Sequence, residues 1–565
     1  MNKGVSEIDD ARFFLSELGK HDASSELEAT LDAFFSNEKK DDNSSICRFP
    51  ARYHWLQEQL GAKDFPKADC QDYKKILKRV DPKSVTMVFP SAHINSPASM
   101  FGHTFLRINS SYNSRLLSYA INYAADADMN KENGVTFAIK GLFGGYYGKY
   151  SLLPYYDKLK EYRDSEQRDI WEYDFNLTQE ETLKLFRHVW ELNGTHSYYY
   201  FFTENCSYNM LWLIELARPT VHLREHFNYQ VIPLETVHAS KLENLIESIH
   251  YRPSKRTTLL KYEQLIDKKY IRYPVKVSAL SLNIDTIVKD TSISQQQKRY
   301  ILEASIEYME YQLGKGKLKK EDYLRLFHEA TTQRAKLGTG KNVTIQTPAD
   351  PIDSHRAVRA TLGVGSIEGE FATYLGIRPA YHDLEDSNYG FLRGTQIEFM
   401  DILLSYSDKK TKVEKATVLS IVSLAPRSEF FKSFSWRMKL GWDRDYLSDK
   451  SALYTGVGAG FAWNFAPGYL YFLVDPFLYT QHSVHAGVGG SVGLSIDKYD
   501  FMNTNVESSY RFYDTGDEQL LVKVSQGFRV EQNFQVVLNY DFKEKLQQKK
   551  KINENTFRLM FKYYF

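Results

Sequence analysis

Hydrophobic and polar positions follow two different periods along this chain, and the change falls near residue 355. Beyond it, apolar and polar residues alternate in runs of about ten, separated by polar or Gly/Asp turns, which is the period-two signature of strands. In 433–443, Phe434, Trp436, Met438, Leu440 and Trp442 alternate with Ser435, Arg437, Lys439 and Gly441. In 532–543, Phe534, Val536, Leu538, Tyr540 and Phe542 alternate with Gln535, Asn539, Asp541 and Lys543. The chain ends on Phe557, Leu559, Phe561, Tyr563 and Phe565, alternating with Arg558, Met560, Lys562 and Tyr564. Twelve such runs are counted. The run over 451–464 sets Gly456, Gly458, Gly460 and Ala462 on one face, as a crowded lumen requires. Alternation alone also fits a soluble sandwich. Strands of about ten residues, an even count and a terminal aromatic residue favour a twelve-stranded antiparallel transmembrane β-barrel.

Before residue 355 the pattern is helical or mixed. Residues 8–36 predict one or two amphipathic helices, 37–45 a polar linker, and 47–80 a small module bounded by Cys47 and Cys70. Strands are predicted at 85–89, 103–108 and 116–123, and helices at 177–192 and 206–216. Residues 141–148, rich in Gly and Tyr, read as a loop. Residues 240–340 are mainly helical, notably 293–313 and 319–337, and Thr347-Pro348-Ala349-Asp350-Pro351 ends that regime. The expected organisation is a helical N-terminal region over 1–80, an α+β domain over 81–250, a helical linker region over 251–350 and the barrel over 351–565.

Composition narrows the compartment. At 565 residues the chain exceeds a single core. A net charge of +1 offers no field for nucleic acid, so no nucleic-acid partner is expected. No apolar stretch is long enough for a transmembrane helix. The opening Met1-Asn2-Lys3-Gly4-Val5-Ser6-Glu7 is not a signal peptide, so the chain is either cytosolic or has lost its leader. A barrel of this kind belongs to a bacterial outer membrane, which makes the preceding domains periplasmic and the missing leader a trimmed start. Disulfides form in that compartment. Pairing Cys47 with Cys70 closes a short loop and leaves Cys206 as a lone free thiol. The alternative is three buried, reduced cysteines.

Cys206 follows the aromatic run Tyr198-Tyr199-Tyr200-Phe201-Phe202 and opens the helical pattern of Met210, Leu211, Leu213 and Ile214. A thiol at a helix N-terminus is disposed to ionise. A thiolate nucleophile needs a base, and the segment from Ser91 to Ile108 supplies His93 and His103. His103 is the expected base, Asn122 on the next predicted strand its orienting partner, and the Cys206 amide part of an oxyanion site. The residues alone do not decide between the two histidines. His93, Ser96, Glu204, Asn205 and Tyr146 are candidates to support this pair or to touch substrate. His93, His103 and Cys206 are zinc-ligand types, but no ligand-pair motif is present, and neither metal nor cofactor is expected. The Gly141–Gly148 segment lacks the Gly-Lys-Ser/Thr ending of a phosphate loop.

These residues resemble a known family. His93-x-x-Ser96-Pro97, Gly102-His103-Thr104-Phe105 and Glu204-Asn205-Cys206-Ser207 are similar to the Lnb N-terminal periplasmic domain family. The order, His on a strand and then Cys at a helix start, resembles circularly permuted papain-like thiol enzymes such as the lecithin–retinol acyltransferase group. The resemblance implies a permuted papain-like domain and lipoprotein N-acylation. In that scheme an acyl chain passes from a phospholipid donor to Cys206 as a thioester, then to the α-amino group of a bacterial lipoprotein. A barrel of its own places the thiol near inner-leaflet phospholipids of the outer membrane and away from the inner membrane. Two rival readings are a thiol hydrolase on the same fold, peptidoglycan peptidase or lipase, and a non-enzymatic outer-membrane binding or channel protein.

Overall fold

The computed structural model describes residues 4–565 apart from 38, 62–64, 93–100, 113, 127–139, 142–143, 446–451, 481–482 and 548–549. The chain forms two compact units. One comprises Met1–Ser91 with Gly102–Ser254, the other Ala92–Phe101 with Lys255–Phe565.

In the first unit, helices α1 (Ala23–Phe35), α2 (Pro50–Leu60) and α3 (Gln71–Val80) precede an antiparallel sheet. Its strands are β1 (Ser84–Pro90), β2 (Phe105–Asn109), β3 (Tyr119–Ala125), β4 (Tyr146–Pro154), β5 (Ile170–Phe175), β6 (Ser197–Tyr199) and β7 (Ile246–Arg252). They lie in the order β6-β4-β3-β2-β1-β5-β7. The run from Val85 to Phe89 is apolar apart from Thr86 and wholly buried, which suits its central place. Helices α4 (Gln179–Glu191), α5 (Cys206–Ala217) and α6 (Pro233–Leu242) complete the unit, with α5 over β2 and β3 and with α4 and α6 over β1. Helix α4 starts at a capping box of Thr178 and Glu181, which satisfies two otherwise orphaned backbone donors.

Two predicted elements differ. Residues 8–22 hold only the short 3-10 turn Ala11–Phe13 ahead of α1. The Glu26 carboxylate accepts the Leu15 and Ser16 N–H groups, a tertiary bond that holds this stretch as turns. Tyr146, Tyr147 and Gly148 begin β4 and are not loop. A Cβ on Gly148 would meet the Tyr123 hydroxyl at 2.1 Å, so the glycine there makes room for a neighbouring ring.

The second unit opens with helices α7 (Lys255–Leu265), α8 (Tyr273–Ser278), α9 (Ile284–Lys289), α10 (Gln295–Gly314) and α11 (Lys320–Lys336). Leu259, Val277, Ile287, Ile301, Leu302, Met309 and Leu326 form their core. Phe430 and Phe431, from the connection between two barrel strands, are buried in the same core.

The barrel strands are β8 (Arg359–Ile367), β9 (Glu370–Arg378), β10 (Thr395–Ser407), β11 (Lys410–Ser423), β12 (Ser435–Asp443) and β13 (Ala452–Phe465). They continue as β14 (Gly468–Thr480), β15 (Val484–Ile496), β16 (Met502–Tyr513), β17 (Glu518–Glu531), β18 (Phe534–Gln547) and β19 (Lys550–Tyr564). Each pairs antiparallel with the next, and β19 returns to β8 in the register Tyr564↔Arg359 to Thr556↔Ile367. The ring of twelve is closed; the short strands Ala380–His382 and Pro426–Arg427 pair beside it.

Side-chain polarity is inverted relative to a soluble protein. Phe371, Phe434, Val457, Val492, Phe512 and Phe561 are exposed on the outside, while Arg437, Lys439, Asp541 and Lys562 point inward. Gly456 and Gly458 face inward as expected, and a Cβ on Gly458 would strike the Asp475 carboxylate. An apolar outer belt around a charged interior, carried on strands of 9 to 15 residues, is the design of a membrane-spanning barrel. No helix among the described residues is long and apolar enough to cross a membrane.

Candidate active site

Cys206 is the first residue of α5, buried and free. Asn205 caps the helix, its Oδ1 accepting from Ser207 N and Tyr208 N at 3.0 and 3.2 Å. Its Nδ2 donates to Phe201 O and Val231 O, so one amide fixes both the helix start and the loop before it. Asn205 is thereby a structural cap of the thiol's helix.

His103 lies just ahead of β2, after Gly102 at φ +88. A Cβ on Gly102 would collide with the Phe89 ring at 2.5 Å. Glycine there satisfies both the left-handed backbone and the close approach. The imidazole Nε2 lies 2.9 Å from Asn122 Oδ1, which leaves Nδ1 for the thiol. The imidazole and the Cys206 thiol are close enough to shift each other's titration. The ring stacks on Tyr162 with centroids 5.6 Å apart. Tyr162 is held in turn by the guanidinium of buried Arg168, which donates to Pro90 O at 2.7 Å and Ser91 O at 2.6 Å.

Burial raises the Cys206 pKa, but the charge of His103, its hydrogen bond, the Ser207 hydroxyl and the Thr104 N–H outweigh it and lower the thiol to about 7. Burial lowers His103, while the charge and hydrogen bond of Cys206 and the bond to Asn122 raise it above the ordinary value. The two shifts describe one thing, a site that favours the thiolate–imidazolium form.

The surroundings are aromatic. Burial, with the nearby charge of Cys206, holds the Tyr199 phenol well above its ordinary value, and its ring stacks on Tyr123 at 6.0 Å. Tyr150 donates to Asn209 Oδ1 at 3.0 Å and packs on Tyr123. Tyr146 is buried and pairs with Tyr199 across β4 and β6. Glu204 is partly buried, and its carboxyl is raised by that burial and then by Glu7 and Asp9. Arg107 pairs with Glu172 at 2.8 Å inside the sheet, away from the thiol's own hydrogen-bond set.

The structure thus brings together Cys206, His103 and Asn122, which lie on three separate segments. His93 and Ser96 lie outside the described residues. Tyr199, Tyr162 and Thr104 were missed by sequence reasoning. Tyr199 was visible only as one of five consecutive aromatics, and nothing local distinguishes the one that turns toward the thiol. Cys47 and Cys70 form a disulfide with Cα atoms 5.1 Å apart.

A thiol primed by an imidazole in an α+β domain, joined to a membrane barrel, defines a periplasmic domain anchored in the outer membrane. The family comparison agrees: the model of the Lnb N-terminal periplasmic domain matches residues 72–241. Three further models, each described as a domain of unknown function, match 1–59, 249–345 and 348–564. No curated protein matches the sequence. Among solved structures, the NanC porin is 8% identical with a TM-score of 0.26, over 37% of this chain and 100% of its own. An outer membrane channel from Pseudomonas putida F1 is 11% identical with a TM-score of 0.26, over 39% of this chain and 97% of its own. The barrel assignment rests on its own closed strands and outer apolar belt, not on these likenesses.

Proposed function

We propose that this protein is a Cys–His thiol acyltransferase that works in the periplasm from an outer-membrane anchor. The observation that carries the reading is the buried free Cys206, its pKa lowered by the imidazole of His103, which Asn122 holds in place. His103 accepts the thiol proton, and the thiolate attacks an ester carbonyl of a phospholipid. The carbonyl–oxygen bond breaks, the lysophospholipid alcohol leaves with the proton from His103, and the acyl chain remains on Cys206 as a thioester. An amine then attacks, the carbon–sulfur bond breaks, and the amine's proton returns through His103. The Cys206 N–H, at the start of α5, is the proposed oxyanion donor. The amine acceptor is proposed as a lipoprotein N-terminal cysteine.

Aromatic walls from Tyr123, Tyr150, Tyr162 and Tyr199 favour an acyl chain over a cell-wall peptide. Hydrolysis on the same fold differs only in water replacing the amine. The test is intact mass spectrometry of the full chain after incubation with phospholipid vesicles. One acyl mass on the parent and none on Cys206→Ser is the expected result. Lipid turnover undiminished in Cys206→Ser overturns the reading, and turnover with free fatty acid as the sole product assigns the site to a hydrolase.

A further inference from the structure

The barrel lumen is crossed by its own chain. After β9, residues 383–388 fold inward rather than staying at the rim, and the barrel wall holds them from both sides. Asn503 Nδ2 donates to the carbonyls of Leu384, Glu385 and Asp386 at 3.1, 3.1 and 2.9 Å. Asn505 Nδ2 donates to Leu384 O at 2.7 Å, and Gln535 Nε2 to Glu385 O at 2.8 Å. These amides come from inward positions of β16 and β18. The carboxylates of the loop meet cations of the neighbouring strands. Asp386 pairs with Arg378 at 2.6 Å, with Arg359 at 3.1 Å and with Lys562 at 3.2 Å, and accepts the Tyr564 hydroxyl at 2.7 Å. Asp383 pairs with Arg359 and, at 3.0 Å, with Arg378. On the opposite wall, Leu384 packs against Val422, Ala462, Tyr469, Tyr471 and Leu473 of β11, β13 and β14. The loop therefore reaches both sides of the ring. A Cβ on Gly527 of β17 would collide with the Asn503 and Gln535 amides, so the wall is fitted to these bonds.

Two more layers lie deeper. Arg437 of β12 bridges to Asp475 of β14 at 2.7 Å, to Ser491 of β15 at 2.6 Å and to Glu507 of β16 at 2.7 Å. From the other end of the barrel, Asp445 reaches Lys523 of β17 at 2.5 Å and Lys543 of β18 at 3.5 Å, and its carbonyl accepts from Gln519 at 2.6 Å. The space left between the loop and Asp445 is about 360 Å³. His355, His382 and Asp386 come within 4.8 Å of one another, but this cluster serves the same loop. The imidazoles bond each other at 3.1 Å, and three cations already surround Asp386.

We propose that the barrel is a closed anchor and not a passage, with 383–388 as the plug that shuts the end where the chain enters. Among the described residues, oppositely charged groups are bonded across the lumen at successive levels, which obstructs the path of an ion. This inference is independent of the thiol chemistry.

The test uses the full chain reconstituted in planar lipid bilayers, with insertion verified by heat-modifiable gel mobility. The expected record is that of the bare bilayer, without conductance steps in 1 M KCl. Stable steps from the parent protein overturn the proposal. A second measurement locates the plug. The pair Leu384→Cys and Asn505→Cys is treated with a short bifunctional thiol reagent in the folded, heat-modifiable barrel. Near-complete intramolecular crosslinking is expected, with none in either single variant. A folded double variant that fails to crosslink places the loop outside the lumen and overturns the proposal.

Discussion

Cys206 owes its reactivity to neighbours more than to its own position. A helix start alone lowers a thiol modestly, whereas an imidazole, a hydroxyl and a backbone N–H together overcome the cost of burial. Because the thiol pKa is lowered to about 7, the thiolate fraction rises as pH increases through about 7 and is lost below it. Alkylation of Cys206 in the native protein is expected to follow that inflection. In His103→Ala it should move up toward the ordinary thiol value, and acyl transfer should fall by about 10²–10⁴-fold, the usual worth of a general base. An unchanged alkylation profile in His103→Ala would remove the pair. The residue types were legible in the sequence: a lone thiol, two histidines and an asparagine at a strand. Tyr199 and the Thr104 N–H were not, because their part depends on how β6 and the segment ahead of β2 fold against α5.

At the scale of elements, the site hangs on how β1, β2 and β5 are tied together. Glu172 on β5 is fully buried and meets Arg107 at 2.8 Å, Arg115 at 2.8 Å and Arg252 at 2.5 Å, and accepts the Tyr155 hydroxyl at 2.6 Å. Burial raises its carboxyl, but Arg107 and Arg252 bring it down to about 2. A depressed folded pKa gives stability that is complete above the unfolded value near 4.5 and is lost as pH falls toward 2. The shift corresponds to about 3 kcal/mol. Glu172→Gln should destabilise the first unfolding transition by about 3 kcal/mol or more, since three guanidiniums lose their counter-charge. It should also flatten the acid dependence between pH 4.5 and 2, read by tryptophan fluorescence during unfolding. At the thiol's helix, Asn205→Ala should cost about 1–2 kcal/mol, at the upper end for a cap because the same amide also secures Phe201 and Val231.

For the whole molecule, the disulfide and the barrel report the same compartment. Denatured without reductant, the protein should take up one equivalent of maleimide, and three after reduction. Labelling of three equivalents without reductant would contradict the Cys47–Cys70 bond. Breaking that bond should lower stability by about 3 kcal/mol, the chain-entropy value for a closed loop of this size. The barrel also departs from the usual plan of short periplasmic turns and long outer loops. Its longest connections, 379–394 and 424–434, lie at the end where the chain enters and leaves; at the far end 368–369, 408–409 and 514–517 are brief and 444–451 is longer. One of the long connections plugs the lumen and the other inserts Phe430 and Phe431 into the helical core. Both are spent on binding the barrel to its own chain, as an anchor requires.

Local pattern determined the twelve strands, the face each side chain takes, the principal helices and the chemical identity of Cys206. These follow from periodicity, and a period of two leaves no choice of face once one side meets lipid. The N-terminal turns ahead of α1, the place of Tyr146 in a strand, the tyrosine at the thiol and the filled lumen were decided only by tertiary structure. Each depends on contacts between residues that are not neighbours along the chain: Glu26 with Leu15, Tyr146 with Tyr199, Tyr199 with Cys206, and Asn503 with Leu384. Spacing and composition carry no record of those partners, because the energy of each bond exists only once the chain has closed on itself.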